Sequence, residues 1–153
     1  MSDIDIAAET AELTCDEGLR LFVYDDATGM PIKPGTLVRG HPTIGVGRAL
    51  DVEGLTAAEA SFLLSDDETT VNAALEQSLS WFSVLDPVRQ RVLAEMAFNM
   101  GVAGLLGFHD TLAAVQTGEW QAAHDGMLAS HWAQQVGARA QRLAEMMLTG
   151  ESS

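Results

Sequence analysis

The sequence predicts an α+β fold that is mostly helical. A small N-terminal β-hairpin lobe should be joined by a long helix to a C-terminal helical lobe, with a cleft between the lobes. Three observations lead there. Residues 19–50 combine β-forming side chains with the turn formers Gly29, Pro31, Pro34, Gly35, Gly40 and Pro42. Next, Thr56-Ala57-Ala58-Glu59 is a capping box, whose hydroxyl and carboxylate satisfy free amides at a helix start. Everything after it reads as helix, punctuated by Gly118 and Gly137.

Each element has its own reason. Residues 6–17 read as a helix stopped at Gly18, a residue suited to the left-handed position past a helix end. Residues 20–24 and 43–48 read as two short strands on either side of a sixteen-residue, turn-rich loop, 27–42. The long helix starts at Ala57 and runs to the high seventies. Asp86-Pro87 then offers an N-cap with proline at the first helical position. Residues 88–100 are apolar apart from Arg89, Gln90, Arg91, Glu95 and Asn99, as suits the central helix of a bundle. Shorter helices are expected over 110–117, 119–129 and 137–148. With no repeat or linker, residues 1–153 read as a single domain: about 18–54 the β-lobe, 56–79 the connecting helix, and 1–17 with 80–150 the helical lobe.

Charge narrows the function. Acidic residues outnumber basic ones 22 to 8, for a net charge of −14. Phosphate contacts need clustered Lys and Arg, so nucleic acid is excluded as a partner, and stable membrane association is disfavoured on the same ground. No apolar run approaches the ~18 residues that span a bilayer, and no basic segment precedes an apolar one at the start, so a cytoplasmic protein without a signal peptide is expected. Cys15 stands alone and reads as a buried structural thiol. His41, His109, His124 and His131 lack metal-ligand spacing, so neither metal nor cofactor is expected. Trp81, Trp120 and Trp132 read as core.

Two carboxylates carry the candidate chemistry. Glu17 ends the first helix and Asp26 follows the first strand, nine residues on. Glycosidic cleavage needs a protonated acid for the leaving oxygen and an ionised carboxylate that activates water or attacks the sugar. Glu17, near Leu13 and Cys15, is expected to be the more desolvated of the two and suits the acid role.

Longer motifs surround this pair. Asp16-Glu17-Gly18-Leu19-Arg20-Leu21, then Tyr24 and Asp26, then Thr43-Ile44-Gly45-Val46-Gly47 closely resemble the phage-type lysozymes, the endolysins typified by the T-even phage enzyme. Further matches follow in order: Ala97-Phe98-Asn99-Met100-Gly101, Gly107-Phe108, Trp120 with Ala122-Ala123, Ser130-His131-Trp132, and Arg139 with Arg142. The resemblance implies a lysozyme-like fold and a catalytic triad of Glu17, Asp26 and Thr43. It also implies that Arg139 holds Glu17, that Arg142 pairs with Asp16, and that Asn99 lines the cleft. Phe98 and Phe108 either line it too or belong to the core.

The implied activity is a muramidase that hydrolyses the β-1,4 bond between N-acetylmuramic acid and N-acetylglucosamine in peptidoglycan, with inversion. It would act as a monomer without cofactor, held in the host cytoplasm until a holin-type protein opens the way to the wall. The alternatives are a lytic transglycosylase and an inactive peptidoglycan-binding or virion structural module. Three features depart from the T-even pattern. The 27–42 loop is longer, residues 49–54 are abbreviated, and Arg48 replaces a histidine, with Asp67 as its expected partner.

Overall fold

The computed structural model describes residues 5–152. The chain forms two compact units, one ending at Ala60 and one beginning at Ser61.

In the first unit, α1 (Ile6–Glu17) is capped by Asp5, whose carboxylate accepts from the Ala8 amide at 3.1 Å. It stops at Gly18, whose amide donates to the Thr14 carbonyl at 3.0 Å. Three antiparallel strands follow in the order β1 (Arg20–Asp25), β2 (Pro42–Gly45) and β3 (Arg48–Ala49). The single strand expected over 43–48 is therefore two. Gly45 and Gly47 have φ of 68° and 71°, a conformation that costs other residues energy, and they turn the chain back on itself. Arg48 then pairs with Ile44, and Ala49 with Thr43. The 49–54 segment is correspondingly short.

The long loop is built onto the sheet. The Asp25 amide donates to the Met30 carbonyl, and the Ile32 amide to the Val23 carbonyl. Tyr24 forms an isolated bridge with Pro31, and the Arg20 guanidinium donates to the Gly29 carbonyl while stacking 4.2 Å over the Tyr24 ring.

Arg48 departs from expectation. Its partner is Glu59, not Asp67, and its Nε also donates to the Gly54 carbonyl at 2.8 Å. Glu59 is the last residue of the capping box, which forms as read: its Oε2 accepts from the Thr56 amide at 2.8 Å, and its own amide donates to Thr56 Oγ1 at 3.2 Å. One glutamate thus caps α2 (Ala57–Ser78) and anchors the arginine. Cys15, read as buried, is exposed.

The second unit takes in the rest of α2, a 3₁₀ turn at Phe82–Val84, and six helices: α3 (Pro87–Met100), α4 (Val102–Leu106), α5 (His109–Thr117), α6 (Trp120–Leu128), α7 (His131–Val136) and α8 (Ala138–Thr149). As its pattern predicts, α3 supplies the middle of the core, with Val92, Leu93, Met96 and Ala97 buried against Leu105, Val115, Met127, Leu143 and Met147. Each of these valine, leucine and methionine side chains contributes about 1.5–3 kcal/mol when removed from water. Trp132 is buried, while Trp81 and Trp120 are half-buried against the same cluster. The short helices α4 and α7 were not anticipated. α4 follows Gly101, and α7 starts where Ser130 Oγ accepts from the Ala133 amide at 3.1 Å.

Arg89 closes this unit. Its guanidinium donates to the Met147 and Leu148 carbonyls at the end of α8, at 2.8 and 2.9 Å, and to Asp86 at 2.7 Å. It also lies 3.8 Å over the Trp120 ring. Those carbonyls have no partner within their own helix, so the arginine serves as a C-cap delivered from another helix.

Candidate active site

Glu17, Asp26 and Thr43 all lie in the first unit. The sheet register places Thr43 directly opposite Tyr24, and Asp25 opposite Pro42, so Asp26 emerges one step past the paired end of β1. Thr43 is buried, and its hydroxyl donates to the His41 carbonyl at 3.1 Å. The Asp26 amide donates to the same carbonyl, also at 3.1 Å. In return the His41 amide donates to Asp26 Oδ1 at 2.6 Å. His41 therefore holds both predicted residues, Asp26 by backbone and carboxylate, Thr43 by its hydroxyl. Gly40 makes this approach possible, because a Cβ there would run into Asp26 Oδ1 and the Ala27 amide.

Glu17 is exposed at the end of α1, which corrects the expectation that Leu13 and Cys15 would desolvate it; both of those are exposed as well. Its carboxylate lies against Gly47, where an added Cβ would sit 3.3 Å from Glu17 Oε2. The bend between β2 and β3 thus leaves room for the carboxylate. Asp16, next to it, is exposed too.

The buried carboxylate of this unit is Asp25, which sequence reasoning passed over. It is 2% exposed and accepts from the backbone amides of Arg39, Gly40 and Ala27, at 2.8, 3.0 and 3.1 Å. The Arg39 bond above all, with those from Gly40 and Ala27, holds its carboxyl below the usual aspartate value despite the opposing effect of burial. Asp25 ties the two ends of the 27–42 loop together beside Asp26. The available signal was the Asp25-Asp26 pair itself, since an aspartate before a turn often binds amides two residues on.

The remaining expected residues lie in the second unit. Phe98 and Arg139 line one pocket of about 380 Å³ with Glu95, Gln90, Asn72 and Val71. Glu95 faces both arginines: Arg142 Nη2 donates to its Oε2 at 2.9 Å, and Arg139 Nη2 stands 3.7 Å from the same oxygen. Its role was overlooked, although Glu95 is the one acid within α3. Asn99 is exposed, and its Oδ1 accepts from the Trp132 indole at 3.0 Å. Phe108 is half-buried against the core and borders a shallow hollow with Trp132. Among the described residues, no helix is long and apolar enough to cross a membrane.

Comparison with known proteins gives this arrangement a context. The chain is 34% identical over 156 residues to the pre-baseplate central spike protein Gp5 of Enterobacteria phage T4. That alignment takes in 88% of the chain and 26% of the spike protein, so the chain spans about a quarter of that relative's length. It is also 26% identical to the probable T4-type lysozyme 1 of Dictyostelium discoideum, covering 90% of the chain and 92% of the relative. The phage lysozyme model matches residues 15–146, a span that begins just before Glu17 and takes in every candidate residue named above. The chain belongs to the phage lysozyme family, whose members are glycoside hydrolases of peptidoglycan.

Proposed function

We propose that this protein is a muramidase, hydrolysing the β-1,4 bond between N-acetylmuramic acid and N-acetylglucosamine with inversion. One observation carries the reading: Asp26 and Thr43 are fixed on a single carbonyl, that of His41, in the unit that also bears Glu17. Glu17 donates its proton to the leaving glycosidic oxygen. Asp26, ionised, takes the proton of a water that attacks from the opposite face of the sugar, and the Thr43 hydroxyl positions that water. Inversion requires room for this water between the carboxyl groups, a separation of roughly 6.5–9.5 Å in the reacting state. Asn99, Phe98 and Phe108, all in the second unit, contribute to glycan binding, and Arg139 and Arg142, held there by Glu95, support that surface. The protein acts as a monomer on glycan strands, with no cofactor.

Anomer-resolved NMR of a short digest tests the mechanism. The first product should carry the inverted configuration; initial retention would refute it. Mass spectrometry of the same digest should show reducing ends, whereas anhydro-muropeptides would indicate a transglycosylase.

The setting has two readings. As a free endolysin the protein acts from the host cytoplasm once a holin-type protein opens the membrane. The match to a baseplate spike protein favours the second, in which the same hydrolase is carried on the virion. Probing purified particles with an antibody to the chain separates the two, since only the second predicts signal in the particle.

A further inference from the structure

We propose that the His41–Asp51 pair is a positioning device for Asp26, one that couples turnover to the protonation of the His41 ring. The inference rests on the reading of Asp26 as the catalytic base. His41 holds Asp26 through its backbone only, so its side chain is free to be anchored elsewhere. The anchor is Asp51, in the turn after β3, whose Oδ1 and Oδ2 lie 3.1 and 3.0 Å from His41 Nδ1. Residue 41 is therefore gripped from two sides. The Asp51 carboxylate fixes the ring, while the peptide fixes the Asp26 carboxylate and the Thr43 hydroxyl.

The charged groups facing the ring are Asp51, from the turn after β3, and Asp26, from the turn after β1. Both are anionic, and both favour the imidazolium. The hydrogen bond to Asp51 comes first among the influences that raise the His41 pKa above the ordinary histidine value, followed by the charges of Asp51 and Asp26. When the ring loses its proton, the ion pair with Asp51 is lost, and Nδ1 is left either as an uncharged donor or, in the other tautomer, as a lone pair facing the carboxylate. The peptide that aims Asp26 is then less firmly held. A small displacement at a base costs rate rather than binding, because reactive geometry is narrow. His41 touches neither sugar nor water in this scheme; it acts through Asp26.

The test compares wild type with Asp51→Asn, Asp51→Glu, His41→Gln and Asp26→Asn. For each, kcat and KM on purified peptidoglycan are measured across neutral and alkaline pH, and the His41 ring is titrated by NMR where it is present. In wild type kcat should fall as His41 titrates. In Asp51→Asn this limb should move to lower pH together with the ring titration. Its kcat at neutral pH should drop roughly tenfold with KM little changed. Asp51→Glu should restore both, and in His41→Gln the part of the profile that follows the ring titration should be missing, leaving only the fall due to Glu17. A purely structural role would lower Tm without moving the limb. If Asp26→Asn is inactive while Asp51→Asn keeps the wild-type pH profile and kcat, the proposal is overturned and the base assignment stands. If Asp26→Asn stays active, the base assignment fails and this proposal with it.

Discussion

Three backbone amides converge on the Asp25 carboxylate, and that arrangement ties the long loop to the pH scale. Its pKa is lowered in the folded state, principally by the Arg39 amide. The stabilisation is therefore fully present above the ordinary value of 3.8 and is lost as pH falls through the lowered one. His41 runs the other way. Its pKa is raised, so its pairing stabilises fully below 6.5 and fades as pH rises through the raised value. Amide hydrogen exchange should accordingly show Arg39 and Gly40 protected across the neutral range and released in acid below 3.8. In Asp25→Asn the acid step should vanish, with protection already weakened at neutral pH. An unchanged acid step would assign the transition to another group. Gly40 is the tighter probe of function. Gly40→Ala drives a methyl into Asp26 Oδ1 and should cut turnover by at least about tenfold, read as kcat on purified peptidoglycan.

At the scale of elements, the second unit hangs on α3 and on the arginine that closes α8. Leu93 is fully buried in the core, so Leu93→Ala should cost about 2–5 kcal/mol, depending on how far the cavity collapses. Arg89→Ala strips two helix-end carbonyls, an ion pair and an aromatic stack at once, and about 2–3 kcal/mol is expected. Denaturant midpoints measure both. A neutral Arg89→Ala would mean that water caps α8 equally well. These elements also mark what the chain discloses before folding. The capping box, the Asp86-Pro87 start and the apolar face of α3 are local patterns, and each formed where it was read. So did α1, whose limits rest on a cap and a glycine. The β2–β3 turn was missed because Gly45 and Gly47 are interleaved with the β-formers Thr43, Ile44 and Val46, and only the positive φ of the two glycines reveals the break. Asp25, Glu95 and Arg89 were undervalued because the partners Arg39, Arg142, Met147 and Leu148 lie 14 to 59 residues away, where no local pattern reaches. Arg48 was assigned to the wrong acid for a related reason: several acids follow it along α2, and the cap geometry chose Glu59.

At the scale of the whole molecule, net charge governs the approach to substrate. Peptidoglycan is anionic and the protein carries −14, so encounter is opposed by a long-range field. The Debye length falls from ~30 Å at 0.01 M to ~8 Å at 0.15 M ionic strength. Activity on whole walls should therefore rise over that range, mainly through kcat/KM. Short neutral chito-oligosaccharides, if cleaved, should show little dependence. A monotonic fall with salt would mean that local positive charge outweighs the net charge.

The central claim is that Glu17 supplies the proton to the leaving oxygen. Glu17→Gln keeps the size and the contact with Gly47 while removing the acid. Release of reducing ends from purified peptidoglycan, by wild type and variant at equal concentration, tests the claim most directly. A general acid contributes about 10²–10⁴-fold, so the variant should lose at least a hundredfold in kcat with an unchanged Tm. Turnover equal to wild type in a folded Glu17→Gln protein would contradict it.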